Sequence, residues 1–193
     1  MKKIAVLGTG YVGLVSGTCF AEIGHHVTCC DINEAKIRSL QNGVIPIYEP
    51  GLEELAEKNV SAGRLSFTAD IEPAVKAADI IYIAVGTPMS KTGEADLTYI
   101  KAAAQTIGEQ LNGYKIIVTK STVPVGTGKL VYQIVSEASK ENIRLMSRQI
   151  LNSSAKVRRC GIRCRWSGRL SAPQANMPLR SLKSFISRSV RRS

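Results

Sequence analysis

Ile4-Ala5-Val6-Leu7 is a short apolar run that leads directly into Gly8-Thr9-Gly10-Tyr11-Val12-Gly13. Few patterns restrict a fold as tightly as a G-x-G-x-x-G set between a strand and a helix. An apolar run of this length suits a strand buried on both faces of a parallel sheet. The following stretch, about 11–23, is rich in small residues and closes on Gly24, as helices with a C-terminal glycine do. Each motif glycine meets a separate demand: Gly8 permits the tight turn, Gly10 lets the backbone approach a pyrophosphate, and Gly13 lets the helix pack on the strand. The helix N-terminus offers unpaired N–H groups and the positive end of a dipole to the phosphates. Gly8, Gly10, Tyr11, Val12 and Gly13 are therefore candidate cofactor-binding residues.

Asp31 ends the next expected strand, Val27-Thr28-Cys29-Cys30. In a dinucleotide-binding unit a carboxylate at this place accepts the adenosine ribose hydroxyls and repels an added 2′-phosphate. No arginine follows it directly, so the expected cofactor is NAD rather than NADP. Two more loops fall at the carboxyl ends of strands, where such sheets bind ligands: Gly86-Thr87-Pro88 and Ser121-Thr122-Val123-Pro124. Their hydroxyls and amides are placed to hold the nicotinamide half, although Gly-Thr-Pro and Pro-Gly turns also occur in unrelated loops.

Further strands are expected at 65–68, 79–85 and 115–119. Helices are expected over 34–41, after Pro50-Gly51, and over 71–77, 97–111 and 127–140. Alternation of strands with helices implies an α/β fold, a Rossmann-type doubly wound parallel sheet with helices on both faces. Five strands are expected, the first of them central. The alternation fails beyond Leu145. Residues 1–145 hold 14 basic and all 15 acidic residues, net −1, whereas 146–193 hold 12 basic residues, ten serines and no acid, net +12. Such a composition cannot bury enough surface to offset chain entropy. The expected division is a dinucleotide-binding domain at 1–142 and a basic, Ser/Arg-rich, disordered tail at 143–193, with the sheet incomplete at the edge beyond the fifth strand.

Composition excludes several classes. No apolar run reaches membrane-spanning length, so no membrane partner is expected. Met1-Lys2-Lys3 ahead of an apolar stretch has the outline of a secretory signal, but glycines at 8, 10 and 13 break that stretch early. Five cysteines without framework spacing point to free thiols in a reducing, cytoplasmic compartment. Cys19 falls on a helix and Cys29 and Cys30 on a strand, as core filler. Cys160 and Cys164 have no His or acidic partner nearby, so no metal site is expected. His25 and His26 are expected to face solvent. The net charge of +11 suggests nucleic acid, yet it comes from the tail, whose Trp166 and Phe185 make no stacking platform, and no specific nucleic acid is expected.

Taken together the motifs resemble the nucleotide-sugar dehydrogenases of the UDP-glucose/GDP-mannose dehydrogenase family, and among them the UDP-glucose 6-dehydrogenases most closely. The stretches that carry the resemblance are IAVLGTGYVGLVSG at 4–17, DINEAK at 31–36, PIYEPGL at 46–52, IAVGTP at 83–88 and KSTVPVG at 120–126. Dehydrogenases of UDP-N-acetyl sugars share much of this pattern. The resemblance implies that Val12, Asp31, Lys36, Thr87 and Thr122 contact NAD, with Thr122 also near the reacting centre; Lys36 has the plain alternative of a solvated helix residue. It further implies an oligomeric enzyme that oxidises the C6 alcohol of UDP-glucose to a carboxylate with two NAD, through a cysteine-bound intermediate.

The family's cysteine lies in a GGSCFPKD motif that these 193 residues do not contain, so no catalytic residue is assigned. Where the family continues with S-N-P-E-F, this chain has Met146-Ser147-Arg148-Gln149-Ile150-Leu151-Asn152. One permitted codon spelling of 145–153, read one frame away, gives D-V-A-S-N-P-E-F, and the same offset turns 174–187 into an acidic, helix-like sequence. The expectation is a frameshift near residue 143 that leaves the NAD-binding portion of a dehydrogenase, inactive alone. A stand-alone NAD-binding regulatory module is the alternative, and the coding DNA separates the two.

Overall fold

The computed structural model describes residues 1–89, 95–121, 124 and 126–139, together with the backbone of 146–149. Thr122 and the cysteines at 160 and 164 lie outside the described residues. Six parallel strands form one sheet: β1 (Lys3–Leu7), β2 (His26–Cys30), β3 (Leu65–Thr68), β4 (Ile80–Ile83), β5 (Ile116–Thr119) and β6 (Met146–Gln149), in the spatial order β3-β2-β1-β4-β5-β6. Six helices connect them: α1 (Tyr11–Glu22), α2 (Glu34–Gln41), α3 (Leu52–Ser61), α4 (Ile71–Ala77), α5 (Thr98–Glu109) and α6 (Thr127–Ala138). The order 3-2-1-4-5-6 is that of the doubly wound dinucleotide fold, with β1 central as expected and β4 beside it.

Side-chain alternation along the strands builds a core on each face. Ile4 and Val6 of β1 join Val27, Cys29, Phe67 and Tyr82 on the face covered by Leu14 of α1, Leu40 of α2 and Leu52 of α3. Ala5 and Leu7 join Ile81, Ile83 and Ile117 on the opposite face, under Val75 of α4, Ile107 of α5 and Val131 of α6. Strands buried on both faces need apolar residues at every position, which is why IAVL, IIYI and IIVT read as continuous runs. The polarity of the cover switches between β1 and β4. The chain leaves β1 toward the first face and leaves β4 toward the second, so the loops after these strands diverge and open a crevice at their carboxyl ends.

Two expectations are corrected. The sheet does not end at β5, because Met146–Gln149 pairs with it in parallel register, Ile116 opposite Met146 and Thr119 opposite Gln149. A strand of Met-Ser-Arg-Gln carries no apolar run, but the ladder is made by backbone N–H and C=O groups, which every one of those residues supplies. His25 is half-buried rather than solvent-facing: the Lys2 N–H donates to its Nδ1 at 3.3 Å, tying the loop before β2 to the start of β1. His26 is exposed, as expected.

Helices α5 and α6 approach closely at Gly108. A Cβ on Gly108 would lie 2.6 Å from the Ala138 Cβ and 2.8 Å from the Val135 carbonyl oxygen. Helix propensity alone favours alanine over glycine by about 1 kcal/mol. Here overpacking against backbone opposes it, at a cost of about 1–3 kcal/mol. Gly108→Ala is expected to lower the urea midpoint; a midpoint equal to or above that of the unaltered chain would show that α5 and α6 separate freely.

Candidate functional site

The glycine loop is shaped by three contacts that only glycine allows. Gly8 has φ +98° and sits against β4, where a Cβ would fall 2.8 Å from the Ala84 carbonyl oxygen and 2.9 Å from the Val85 Cα. A Cβ on Gly13 would fall 1.9 Å from the Gly8 carbonyl oxygen, so the first turn of α1 closes directly on the turn that precedes it. Gly10 is different: nothing lies within 4 Å of where its Cβ would be. Its missing side chain keeps open space open. Gly10 caps α1 without a side-chain hydrogen bond, its carbonyl taking the Leu14 N–H at 2.9 Å. Tyr11, Val12 and Gly13 thus contribute first-turn N–H groups that have no intrahelical acceptor.

Asp31 stands beside this loop because β2 runs parallel to β1 one strand away, Leu7 opposite Cys30. Its Oδ2 accepts three donors: the Thr9 N–H at 2.9 Å, the Thr9 hydroxyl at 2.7 Å and the Lys36 ammonium at 3.2 Å. Its Oδ1 accepts the Asn33 N–H at 3.1 Å. Burial alone would raise the Asp31 pKa, but the hydrogen bonds from Thr9, Asn33 and Lys36 outweigh it and hold the carboxyl below the usual aspartate range. Asn33 in turn caps α2, accepting the Lys36 N–H at 3.1 Å. The DINEAK segment is therefore a compact turn in which Asp31, Asn33 and Lys36 position one another.

A crevice of about 400 Å³ opens at the switch point. Gly8, Gly10, Asp31 and Lys36 line it together, facing Val85 and Gly86 at the end of β4. The remaining wall is largely apolar: Ile32, Ile71 of α4, and Tyr99, Ala102, Ala103 and Thr106 of α5. Of the other candidates, Tyr11, Val12 and Gly13 lie on the first turn of α1 rather than in the wall. Val12 packs against the first core, and Thr87 follows the wall residue Gly86. Sequence reasoning missed Thr9 and the α4 and α5 residues. A hydroxyl between two glycines was a signal for the first; the others lie far along the chain and carry no motif.

Two cross-links stiffen the rim. The Tyr11 hydroxyl donates to Glu49 Oε2, joining the Tyr48–Leu52 segment to the start of α1. This hydrogen bond, then burial and the Glu49 charge, push the Tyr11 pKa up to about 12. The Ser121 hydroxyl donates to the Val85 carbonyl at 2.6 Å, tying the end of β5 to the end of β4. Lys120 beside it is buried, and burial draws its pKa down to about 8.

A dinucleotide fits these residues on structural grounds. Gly10 leaves the approach to the amides open, and Asp31 presents an ionised carboxylate beside a crevice with apolar walls. The comparisons agree. Residues 2–158 match the model of the UDP-glucose/GDP-mannose dehydrogenase family, NAD binding domain. UDP-glucose 6-dehydrogenase TuaD of Bacillus subtilis is 79% identical over 140 residues, which are 72% of this chain and 30% of that protein. The structure of a UDP-glucose dehydrogenase from the archaeon Pyrobaculum islandicum superposes with a TM-score of 0.74 at 41% identity, covering 79% of this chain and 36% of that one. A GDP-mannose dehydrogenase from Pseudomonas aeruginosa gives 0.73 at 33% identity, covering 78% and 36%. The chain spans about a third or less of the length of the curated relatives it matches.

The state of Asp31 has a measurable signature. Its folded pKa lies below its unfolded value of about 3.9, so its contribution to stability is present above that value and is lost as pH falls through the folded pKa. The stability gap between the unaltered chain and Asp31→Asn, from urea denaturation, is expected to be widest near neutral pH and to close as pH falls through the lowered folded pKa. A gap independent of pH would show that the ionised carboxylate is not what Thr9, Asn33 and Lys36 hold.

Proposed function

The chain belongs to the UDP-glucose/GDP-mannose dehydrogenase family through its NAD-binding domain, and on that premise we propose that its crevice holds the adenosine half of NAD and serves the oxidation of UDP-glucose. The observation that carries this reading is the meeting of Gly8, Gly10 and Asp31 in one crevice at the switch point. Gly10 and the first turn of α1 receive the pyrophosphate, Asp31 with Lys36 receives the ribose, and the Ile71–Tyr99 side of the crevice receives the base. Bound NAD supplies the hydride acceptor. Thr87 and Thr122, on the loops after β4 and β5, serve the nicotinamide half. The buried thiols of Cys29 and Cys30, neither of them in a disulfide, support a reducing, cytoplasmic setting.

Preference for NAD over NADP follows from Asp31, since a carboxylate opposes an added phosphate at the 2′ position. Calorimetric titration of the chain with each dinucleotide is expected to give tighter binding of NAD, and Asp31→Ala is expected to narrow the difference. Equal affinities in the unaltered chain would count against the assignment.

Sugar oxidation is proposed for the longer proteins, with these residues supplying the cofactor half. Two of the described thiols are poor nucleophiles: burial pushes Cys29 well above the usual thiol range and Cys30 up to about 12. Positioning a substrate against the nicotinamide is worth roughly 7–11 kcal/mol when complete, and no element described here encloses a UDP-sugar beside the rim. NADH absorbance with the 193-residue chain, UDP-glucose and saturating NAD is expected to stay at baseline. Turnover within about tenfold of a full-length relative, a difference of about 1.4 kcal/mol in barrier, would overturn this.

A further inference from the structure

We propose that Thr9 is a specificity-determining positioning residue: its N–H and hydroxyl together lock one oxygen of Asp31, and the locked carboxylate is what makes the crevice prefer a dinucleotide with a free adenosine 2′-hydroxyl. This rests on reading the crevice as an adenosine site.

Thr9 is fully buried, and it is not part of the crevice wall. Its two donors converge on one atom, Asp31 Oδ2, at 2.9 and 2.7 Å. A turn between Gly8 and Gly10 requires no hydroxyl, and alanine would satisfy the backbone equally well. The hydroxyl is accounted for by Asp31.

Acceptor counting shows what the lock does. A carboxylate offers about four acceptor places, two on each oxygen. Oδ2 has three donors and is saturated, while among the described residues Oδ1 has only the Asn33 N–H and keeps one place. That place takes a ribose hydroxyl. Rotation of the carboxylate about its own bond would break both Thr9 contacts, so the vacancy stays on Oδ1. The lock also governs Lys36, whose ammonium pairs with the same Oδ2 at 3.2 Å. While Asp31 is held, that positive charge is committed; once Asp31 swings free, Lys36 becomes a partner for a 2′-phosphate. Cys30 also lies beside Asp31, and burial first, then the charges of Asp70 and Asp31, push its thiol up to about 12, so it stays protonated.

Thr9→Val keeps the shape and removes the hydroxyl; Thr9→Ser keeps the hydroxyl. Titration calorimetry of the 193-residue chain with NAD and with NADP is expected to show NAD binding weakened about tenfold in Thr9→Val, roughly 1.4 kcal/mol. NADP binding should weaken less, so the preference narrows, and Thr9→Ser should restore it. Carboxyl NMR without dinucleotide is expected to show the Asp31 pKa rising in Thr9→Val and recovering in Thr9→Ser. If the unaltered chain prefers NAD and Thr9→Val keeps that preference unchanged, the inference is overturned and the crevice reading stands. If the unaltered chain binds neither dinucleotide, the crevice reading falls and takes the inference with it. Should Thr9→Val fail to fold, the Asp31 pKa of the unaltered chain decides, and a value at or above the ordinary one of about 3.9 overturns the lock.

Discussion

The carbonyl oxygen of Gly8 touches α1 at a point where a single methyl group would end the arrangement, since a Cβ on Gly13 would sit 1.9 Å from it. The rest of the rim depends on this contact. It lets α1 start one short turn after β1 instead of after a longer loop, so the first-turn amides stand over the end of the strand. The same residue, in its left-handed conformation, lies against Ala84 and Val85. The end of β4 therefore meets the glycine turn directly, and the crevice takes shape between that turn and α5. Moving either backbone outward by the radius of a methyl group would separate the amides from Asp31, because Thr9 sits between the two glycines.

The charged part of the site is organised from the turn outward. Thr9 fixes Asp31, Asp31 accepts the Asn33 N–H, Asn33 caps α2, and Lys36 on α2 returns to Asp31. Each bond lies within or beside a turn whose backbone is already held by the sheet, so little further entropy is lost in closing the ring. The Tyr11–Glu49 and Ser121–Val85 bonds do for the outer loops what this ring does for the centre. Sequence segments far apart in the chain become a single rim through backbone and side-chain hydrogen bonds rather than through core packing.

Much of this is legible in residues 4–31 of the sequence. Strands buried on both faces announce themselves as unbroken apolar runs, and IIYI and IIVT fall where expected. The glycines of the turn and the carboxylate ending the second strand are separated by distances that parallel pairing dictates. What was not legible follows one rule: features carried by backbone, or by residues brought in from another element, leave no local pattern. Met146–Gln149 joins the sheet through groups common to all residues. Ile71, Tyr99 and Thr106 line the crevice because helices α4 and α5 lie over it, and on their own helices they are ordinary positions. The shared burden of Thr9 and Lys36 on one oxygen of Asp31 needed three-dimensional distances, since spacing alone leaves Lys36 free to be a solvated helix residue.

The Asp31–Lys36 pair also bears on how a dinucleotide arrives. The two charges sit 3.2 Å apart and are largely shielded from solvent, with side-chain exposures of 16% and 26%. Viewed from beyond a Debye length, about 8 Å at physiological ionic strength, the pair is nearly neutral. Residues 1–145 carry a net charge of −1 and offer an anionic ligand no long-range attraction of their own, whereas the +12 of residues 146–193 attracts any anion without reference to the site. The attraction the site does offer comes from first-turn amides, whose field fades within a turn of helix. Long-range charge thus does not select the ligand, and discrimination is deferred until the ligand is already against the protein, where hydrogen-bond geometry rather than net charge decides whether it stays.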